Sequence, residues 1–284
     1  MPQIVIDPDQ CNLCGACAAL CNSGNVFARG KDTVEVANIE NCWFCGHCVA
    51  VCPTDAIKHS HFSLDDCPLI TSAVLPSLEG MVEAFRERRS TRIYKSRSVP
   101  REIVISLIDI ARCVPSADNA QPVDWLLFDD PDLMAELSRQ TVSVFEQKLV
   151  GDRQNMGSIV EDIEDFERLI RQSAQGMDPI FFKAPVLLLA HVPFEDSFGR
   201  DDATYATYNI ILAAQRMGLG SCLIGYFIYA LENSEQLRKR LGLPDSRRVE
   251  VALVIGSPKY QFRRTVSRRK ADITWNPALE MAGP

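Results

Sequence analysis

Eight of the chain's eleven cysteines fall in two runs whose spacing suits iron–sulfur chemistry. The later run places its thiols at i, i+3, i+6 and i+10 and comprises Cys42, Cys45, Cys48 and Cys52. The earlier run repeats that spacing 31 residues before it and comprises Cys11, Cys14, Cys17 and Cys21. Thiolates at every third residue direct three sulfurs to one cluster of iron and sulfide, and the fourth thiolate of such a run serves a second cluster. The spacing therefore predicts two clusters.

Over residues 1–60 this internal repeat resembles the two-cluster bacterial ferredoxins. The resemblance implies that one [4Fe–4S] cluster is held by Cys11, Cys14, Cys17 and Cys52. It implies that the other is held by Cys42, Cys45, Cys48 and Cys21. Cys21 is followed by Asn22, where the ferredoxin pattern has a proline. One intact and one altered cluster therefore remains an alternative.

Two other interpretations compete for these cysteines. A disulfide framework is typical of small secreted chains, which do not repeat this frame. A dithiol oxidoreductase would use the segment 45–48, Cys-Gly-His-Cys, within a thioredoxin-like βαβ unit. Here the flanking Cys42 and Cys52 instead complete the spacing of a metal site. His47 is a candidate hydrogen-bond donor to a cluster sulfur. Of the three remaining cysteines, Cys67 is expected to be an inert thiol, Cys113 a core residue and Cys222 a packing residue.

Charge and hydropathy limit the classes of partner. The 284 residues carry a formal net charge of −7, which argues against nucleic acid. No apolar run approaches the length of a membrane span, and the acidic opening residues predict no secretory leader, so a cytoplasmic protein is expected. Basic residues nevertheless cluster at 86–97 and 259–270. Local basicity in an acidic chain indicates a small anionic ligand.

Sequence patterns after the repeat predict a linker over 61–77 and a larger domain over 78–284. An apolar face at helical spacing predicts a helix over 78–88, and Ser98 is expected to cap a helix that starts at Pro100. The other expected elements are strands at 3–6, 124–128, 184–191 and 249–255, a hairpin over 26–36, helices over 132–174, 202–217 and 234–241, and a glycine-rich loop at 218–225. Strands separated by helices indicate an α/β or α+β fold with a mixed sheet.

Several polar segments of the larger domain suit a phosphate-bearing cofactor. The segment 88–92 reads Arg-Arg-Ser-Thr-Arg, and arginine binds phosphate bidentately. A second basic pair, Arg263 and Arg264, follows a Gly-Ser-Pro break. A polar turn at 119–121 and the glycine-rich segment add amide and backbone donors. None of these is a Walker loop or a dinucleotide fingerprint.

The ordered motifs R-R-S-T-R, P-S-A-D-N-A-Q-P, A-P-V-L-L-L, G-L-G-S-C-L-I-G and V-I-G-S-P resemble the FMN-dependent nitroreductase family over residues 78–270. The resemblance implies an α+β fold with a mixed sheet and surrounding helices. It also implies a homodimer with FMN at the subunit interface. Asp118 departs from the family pattern, where glycine, threonine or serine is common.

The resemblance places cofactor contacts on particular residues. It puts Arg88, Arg89 and Ser90 at the phosphate and ribityl chain, Arg92 at the pyrimidine edge of the ring, Asn119 and Gln121 at the ring's polar edge, Leu223, Ile224 and Gly225 near the reactive N5, and Arg263 and Arg264 at the phosphate. Flavin N5 carries the chemistry, so no catalytic side chain is predicted. Segment 132–174 is either a lid over the site or a packing arm.

Together the two resemblances imply a flavin oxidoreductase that takes electrons through two [4Fe–4S] clusters to FMN. The expected donor is a ferredoxin or another low-potential carrier, with NAD(P)H as a further option. The expected acceptor is a small organic molecule of the nitroaromatic, quinone or enone type. A non-catalytic electron-transfer flavoprotein and a specialised flavin reaction such as reductive dehalogenation are the alternatives.

Overall fold

The computed structural model describes residues 3–23, 25–30, 33–151 and 163–275. Its cysteine-rich N-terminal region contains two short helices and two antiparallel strand pairs, β1 with β4 and β2 with β3. The elements are β1 (Ile4–Ile6), α1 (Ala16–Leu20), β2 (Phe27–Arg29), β3 (Val34–Val36), α2 (His47–Val51) and β4 (Ile57–His59). The predicted hairpin over 26–36 is formed by β2 and β3. Residues 31 and 32 of its turn lie outside the described residues.

The internal repeat of the sequence is repeated in the backbone. Gly15 precedes α1 with φ 74°, and Gly46 precedes α2 with φ 75°. Leu13 and Phe44, two positions earlier in each run, also have positive φ, at 59° and 54°. Glycine adopts this left-handed conformation without a steric penalty, which explains its use directly before each short helix. Each run therefore bends its chain in the same way around its first three cysteines.

The predicted linker has little regular structure. Residues 61–77 contain two single turns of 3₁₀ helix, Leu64–Asp66 and Ser72–Val74. Leu69 and Ile70 between them are 87% and 88% exposed. This exposure suits a connecting segment, and the boundaries at 60 and 77 stay a prediction.

The larger region is a four-stranded sheet between two helical layers. Its elements are α3 (Leu78–Glu87), α4 (Arg101–Ala111), β5 (Asp124–Phe128), α5 (Pro131–Gly151), α6 (Ile163–Ala174), β6 (Val186–Pro193), α7 (Gly199–Arg216), β7 (Gly220–Leu223), α8 (Gly225–Asn233), α9 (Glu235–Arg240) and β8 (Arg247–Gly256). The strand order is β5-β6-β8-β7, with antiparallel neighbours. A bridge between Ser90 and Ser221 adds a parallel contact at the β7 edge.

Alternation along β6 sends side chains into two separate cores. Leu187 and Leu189 pack in a core with residues of α5, α6 and α8, whereas Leu188 packs in a core with residues of α4 and α7. This is the period of two that a strand buried on both faces must show. The sheet is thus covered on both sides, and its β7 edge is left to meet the segment that follows α3.

Three sequence expectations for this region need correction. The glycine-rich segment 218–225 is not a loop, because residues 220–223 form β7 by pairing with β8. The helix expected to be capped by Ser98 begins at Arg101, and its N-cap is Pro100, which makes no side-chain cap bond. Helix α8 was not predicted at all. A short segment such as β7 owes its conformation to the neighbouring strand more than to its own propensity.

His191 is buried near the end of β6 and accepts a hydrogen bond from Arg247 Nε at its Nδ1, 3.0 Å away. Burial and the Arg247 charge lower the pKa of His191 below its usual value of 6.5. The unfolded chain then binds more protons than the folded chain as pH falls below 6.5, so folded stability is lost there.

We expect His191→Gln to reduce this acid-dependent loss of stability. The measurement is the urea midpoint of each protein at pH 7.5 and 5.5. His47→Gln is the control, because His47 is an exposed histidine. An equal fall of the midpoint in the wild type and in His191→Gln would contradict the assignment.

Candidate cofactor sites

Four cysteines from the two runs surround one small cavity in the N-terminal region. Its lining includes Cys11, Cys14, Cys17 and Cys52, together with Gly15, Val34 and Ile57. These four are the set that the ferredoxin resemblance implied for one cluster. All eleven cysteines carry free thiols. Within the described residues no group of three or more His, Cys, Asp or Glu is arranged to hold a metal ion.

The surroundings of the cysteine thiols shift their pKa values in different directions. Burial raises the pKa of Cys48 to about 11 and also raises that of Cys17. Burial opposes ionisation of Cys52 as well, but backbone N–H groups of Thr54 and Ala56 outweigh it and lower its pKa. The Ala56 N–H lies 3.3 Å from Cys52 Sγ. Such donors favour a thiolate, the form that binds iron.

A histidine contacts a thiol of the second run. His59 Nε2 lies 3.6 Å from Cys42 Sγ, and the imidazole is 6% exposed. The expected donor, His47, starts α2 and is exposed. His59 was missed because it lies at the end of β4, 17 residues after Cys42 in the sequence. The strand β4 pairs with β1, and no spacing rule predicts that its last residue contacts Cys42.

A cavity of about 230 Å³ lies where α3 ends against the β7 edge and the C-terminal end of α7. Its lining includes Arg88, Arg89, Gln215, Ser221 and Phe262. The segment after α3 is held there because Thr91 N–H donates to Ser221 O at 2.8 Å. The approach is so close that a Cβ on Gly220 would lie 2.3 Å from Thr91 Oγ1. Glycine is therefore required at position 220.

Two buried polar atoms of this cavity's lining residues have no partner. Arg89 Nε and Gln215 Nε2 are both inaccessible to solvent and make no hydrogen bond. Leaving a buried donor unpaired costs about 1–3 kcal/mol. Two such donors beside the guanidinium of Arg88 suit an anion such as a phosphate, which accepts hydrogen bonds and carries negative charge. Gln215 was missed in the sequence because a glutamine inside a helix has no motif.

The other predicted contacts near this edge have mixed surroundings. Ser90 forms the bridge with Ser221. Arg92 is exposed, with its guanidinium 6.0 Å from the centre of the Phe182 ring. Leu223 is 53% exposed, whereas Ile224 is buried and donates its N–H to Ala252 O. Gly225 is exposed at the first residue of α8. Leu223 and Gly225 thus form an accessible strip beside the β7 edge.

Cys222 lies between these residues and is 4% exposed. Burial raises its pKa, although the nearby Arg92 charge and a hydrogen bond with Ser90 act in the opposite direction. A buried neutral thiol contributes packing, as the sequence suggested. Cys67 and Cys113 are exposed, so the expectation that Cys113 belongs to the core is wrong.

The remaining predicted contacts lie elsewhere in the chain. Asn119 and Gln121 belong to a loop whose Ala117 N–H binds the carboxylate of Asp202, near the start of α7. Gln215 is thirteen residues later on that helix, about 20 Å away at 1.5 Å per residue. Asn119 Nδ2 donates instead to Phe44 O, at 2.7 Å. One chain therefore does not bring the 119–121 loop to Arg89.

The cavity lined by Arg88 and Arg89 is called the arginine cavity below, and Phe262 is its last lining residue in the sequence. The next two residues, Arg263 and Arg264, are both exposed. The described residues of segment 132–174 are helical, as expected, and α5 packs against α6. Residues 152–162 between them lie outside the described residues. Phe145 and Phe166 stack at 4.4 Å between ring centres, so the described part of the segment contributes to the core.

Comparison with known proteins identifies both regions. A model of the nitroreductase family matches residues 85–257, more than half of the chain. The chain belongs to the nitroreductase family. A model described as a 4Fe–4S dicluster domain matches residues 3–53. The predicted fusion of a two-cluster ferredoxin domain with a nitroreductase domain is therefore confirmed, and so is the predicted fold class.

Similar proteins have different recorded activities. An iodotyrosine deiodinase of Thermotoga neapolitana is 26% identical over 188 residues, which are 64% of this chain and 94% of that protein. A putative NADH dehydrogenase/NAD(P)H nitroreductase of Archaeoglobus fulgidus is 26% identical over 182 residues, with coverages of 64% and 87%. The crystal structure of a nitroreductase with bound FMN from Desulfitobacterium hafniense has a TM-score of 0.55 at 20% identity, covering 68% of this chain and 96% of that one. That structural likeness shows the nitroreductase fold.

The described helices of the nitroreductase domain and of the dicluster domain include none with the length and apolarity to cross a membrane.

Proposed function

We propose that the chain is a flavin oxidoreductase that takes electrons through two [4Fe–4S] clusters to FMN and reduces a small organic acceptor. The predictions of an FMN-dependent oxidoreductase and of these cofactors are confirmed at that level. The passage of electrons through the clusters to FMN and the class of acceptor, nitroaromatic, quinone or enone, are the parts that we propose. The observation that carries the proposal is the arginine cavity, whose unpaired donors suit the phosphate of FMN. The same chain also carries the two cysteine runs that would bind the clusters.

Different residues of the chain would bind different parts of FMN. Arg88, Arg89 and Gln215 would hold the phosphate of FMN, next to Ser90, which pairs with Ser221 of β7. FMN, when bound, supplies two-electron or hydride chemistry at its ring. Arg92 would favour negative charge at that ring through its own positive charge. The accessible strip formed by Leu223 and Gly225 would offer backbone contacts to the ring. No side-chain nucleophile is needed, and we propose none.

A homodimer would complete this site. One chain separates the 119–121 loop from Arg89 by about the length of α7. A second copy could place its own loop at the cavity. The helix α3 also leaves an apolar stripe uncovered, with Leu78, Met81 and Phe85 between 43% and 73% exposed. Such a stripe on a soluble domain is typical of a surface that another chain covers. Homodimer formation and a cytoplasmic location stay predictions.

The proposal is tested by anaerobic reduction of the loaded protein. We expect a reduced ferredoxin to bleach the flavin absorbance rapidly and a subsequent organic acceptor to restore it. NAD(P)H in place of ferredoxin tests the alternative donor. A flavin that neither donor reduces, or that no acceptor reoxidises, would contradict the proposal and favour a non-catalytic electron-transfer protein.

A specialised flavin reaction is the second candidate, favoured by the similarity to a deiodinase. It is separated from the first by the acceptor panel. Iodotyrosine should release iodide if the chain is a reductive dehalogenase, whereas nitroaromatic, quinone or enone acceptors should be reduced faster under the main proposal.

A further inference from the structure

The dicluster domain and the nitroreductase domain meet at a hydrogen bond between Phe44 and Asn119. Asn119 Nδ2 donates to Phe44 O at 2.7 Å. Phe44 lies between Cys42 and Cys45, two proposed ligands of the second cluster. Both Phe44 and Asn119 have φ of 54°. Non-glycine residues in this region are uncommon and persist where the surroundings hold them. The loop that carries the second run's thiols therefore touches the nitroreductase domain.

The equivalent loop of the first run has different surroundings. Leu13 occupies the position 31 residues before Phe44 and has the same left-handed backbone, with φ of 59°. Its side chain is 40% exposed. The two loops thus share a shape but not an environment. The second run is the one whose properties can respond to the nitroreductase domain.

His59 is attached to this second loop in a defined tautomer. The His61 backbone N–H donates to His59 Nδ1 at 3.0 Å, so Nδ1 carries a lone pair. A neutral imidazole with Nδ1 as acceptor carries its proton on Nε2. Nε2 therefore donates to Cys42 Sγ, 3.6 Å away.

The rings around His59 hold it in this position. The Phe62 ring packs 4.9 Å from the His59 ring, centre to centre, and the Phe44 ring packs 4.1 Å from His61. Phe44 is also the residue bound by Asn119. A continuous set of contacts thus runs from Cys42 through His59 and His61 to Phe44 and the nitroreductase domain.

We propose that His59 is a positioning residue for electron transfer: its N–H···S bond to Cys42 raises the reduction potential of the cluster on the loop that contacts the nitroreductase domain. Reduction adds one electron, supplied by a low-potential one-electron donor, and spreads negative charge onto the ligand sulfurs. A donated hydrogen bond stabilises that charge more in the reduced than in the oxidised state, and such bonds are known determinants of cluster potential. The relevance to flavin reduction rests on the proposed function, whereas the change in potential rests only on the bound cluster.

The test is a redox titration of the anaerobic full-length protein, monitored by EPR, with dithionite as reductant. In His59→Phe, which keeps an aromatic ring but has no donor, we expect one of the two cluster potentials to fall. The expected size is about a tenfold change in the ratio of reduced to oxidised cluster at fixed potential, or about 59 mV for one electron. His59→Gln keeps an N–H donor and should recover most of the shift.

His61→Phe is the matched control. His61 acts on His59 through its backbone N–H, which the substitution leaves in place, so both potentials should match the wild type. Unchanged potentials in His59→Phe, an equal shift of both clusters, or equal shifts in His59→Phe and His59→Gln would overturn the proposal. If iron analysis shows that His59→Phe has lost a cluster, the proposal is tested on the wild-type protein instead. After ¹⁵N-histidine labelling, pulsed EPR should then detect nitrogen coupling to one reduced cluster, and the absence of coupling would overturn the proposal.

None of these results depends on whether the flavin accepts electrons. A normal His59 effect in a protein whose flavin stays oxidised would contradict the proposed function alone. A reducible flavin without a His59 effect would contradict the present inference alone.

Discussion

Replacing Cys45 by serine should reduce ferredoxin-driven flavin bleaching to the rate that ferredoxin shows with free FMN in solution. The thiolates are the ligands that hold an iron–sulfur cluster, and a serine hydroxyl is a poor substitute for the thiolate ligand at this position. Cys45 is exposed on the loop that contacts the nitroreductase domain. The measurement is stopped-flow absorbance of the flavin under anaerobic conditions, with FMN content and iron content determined on the same sample.

Cys67→Ser and Cys113→Ser are matched controls. Both thiols are exposed, as Cys45 is, but neither belongs to a cysteine run. Both variants should bleach at the wild-type rate. If Cys45→Ser retains FMN and loses iron yet is still bleached rapidly by ferredoxin, electrons do not pass through the clusters. Rapid bleaching by NADH in Cys45→Ser would also contradict the relay and would make nicotinamide the direct donor.

The set of Cys11, Cys14, Cys17 and Cys52 could be predicted from the sequence because most of the geometry it needs is local. Three thiols at intervals of three residues turn toward one point, and in each predicted set only the fourth ligand, Cys52 or Cys21, must arrive from the other run. The structure places Cys52 in one cavity with Cys11, Cys14 and Cys17. Gly15 and Gly46 are equally local signals, since each supplies the positive φ that starts a short helix.

The arginine cavity could be predicted only in part. Arg88 and Arg89 stood out as a charge run, but charge runs are commonly solvated. What makes Arg89 distinctive is the close approach of its segment to β7, where Gly220 leaves room for Thr91. That strand was mistaken for a loop, because Gly-Ser has low strand propensity and pairs through its neighbour β8. Gln215 can be recognised as a lining residue only from the packing of α7 against this site.

The contacts between residues distant in sequence could not be predicted at all. Asn119 was assigned to the flavin ring by resemblance, and its amide donates to Phe44 of the other domain. An amide has two N–H groups and a carbonyl oxygen, so this bond leaves capacity for a cofactor contact. His59 contacts Cys42, which is 17 residues earlier in the sequence and belongs to the same domain. Both are contacts between residues distant in sequence, and no spacing rule encodes them.

Replacing Arg89 by alanine should weaken FMN binding by about 10- to 150-fold. A hydrogen bond to a charged group is worth about 1.5–3 kcal/mol, and each 1.4 kcal/mol is a factor of ten in affinity. The dissociation constant is measured by titrating apo-protein into FMN and following quenching of flavin fluorescence. Arg86→Ala is the matched control, because Arg86 is exposed on α3 and does not line the cavity. It should bind FMN as the wild type does.

The stability of the apo-protein provides a second, opposite signature. Arg89 Nε is buried without a partner when no anion is bound, and an unpaired buried donor is unfavourable. Arg89→Ala should therefore leave the thermal midpoint of the apo-protein unchanged or raised, while it removes most of the stabilisation that added FMN gives through mass action. A variant that loses apo-protein stability in parallel with FMN affinity would show that Arg89 serves the fold instead. Wild-type affinity in Arg89→Ala would place the phosphate elsewhere, with exposed Arg263 and Arg264 as the next residues to substitute.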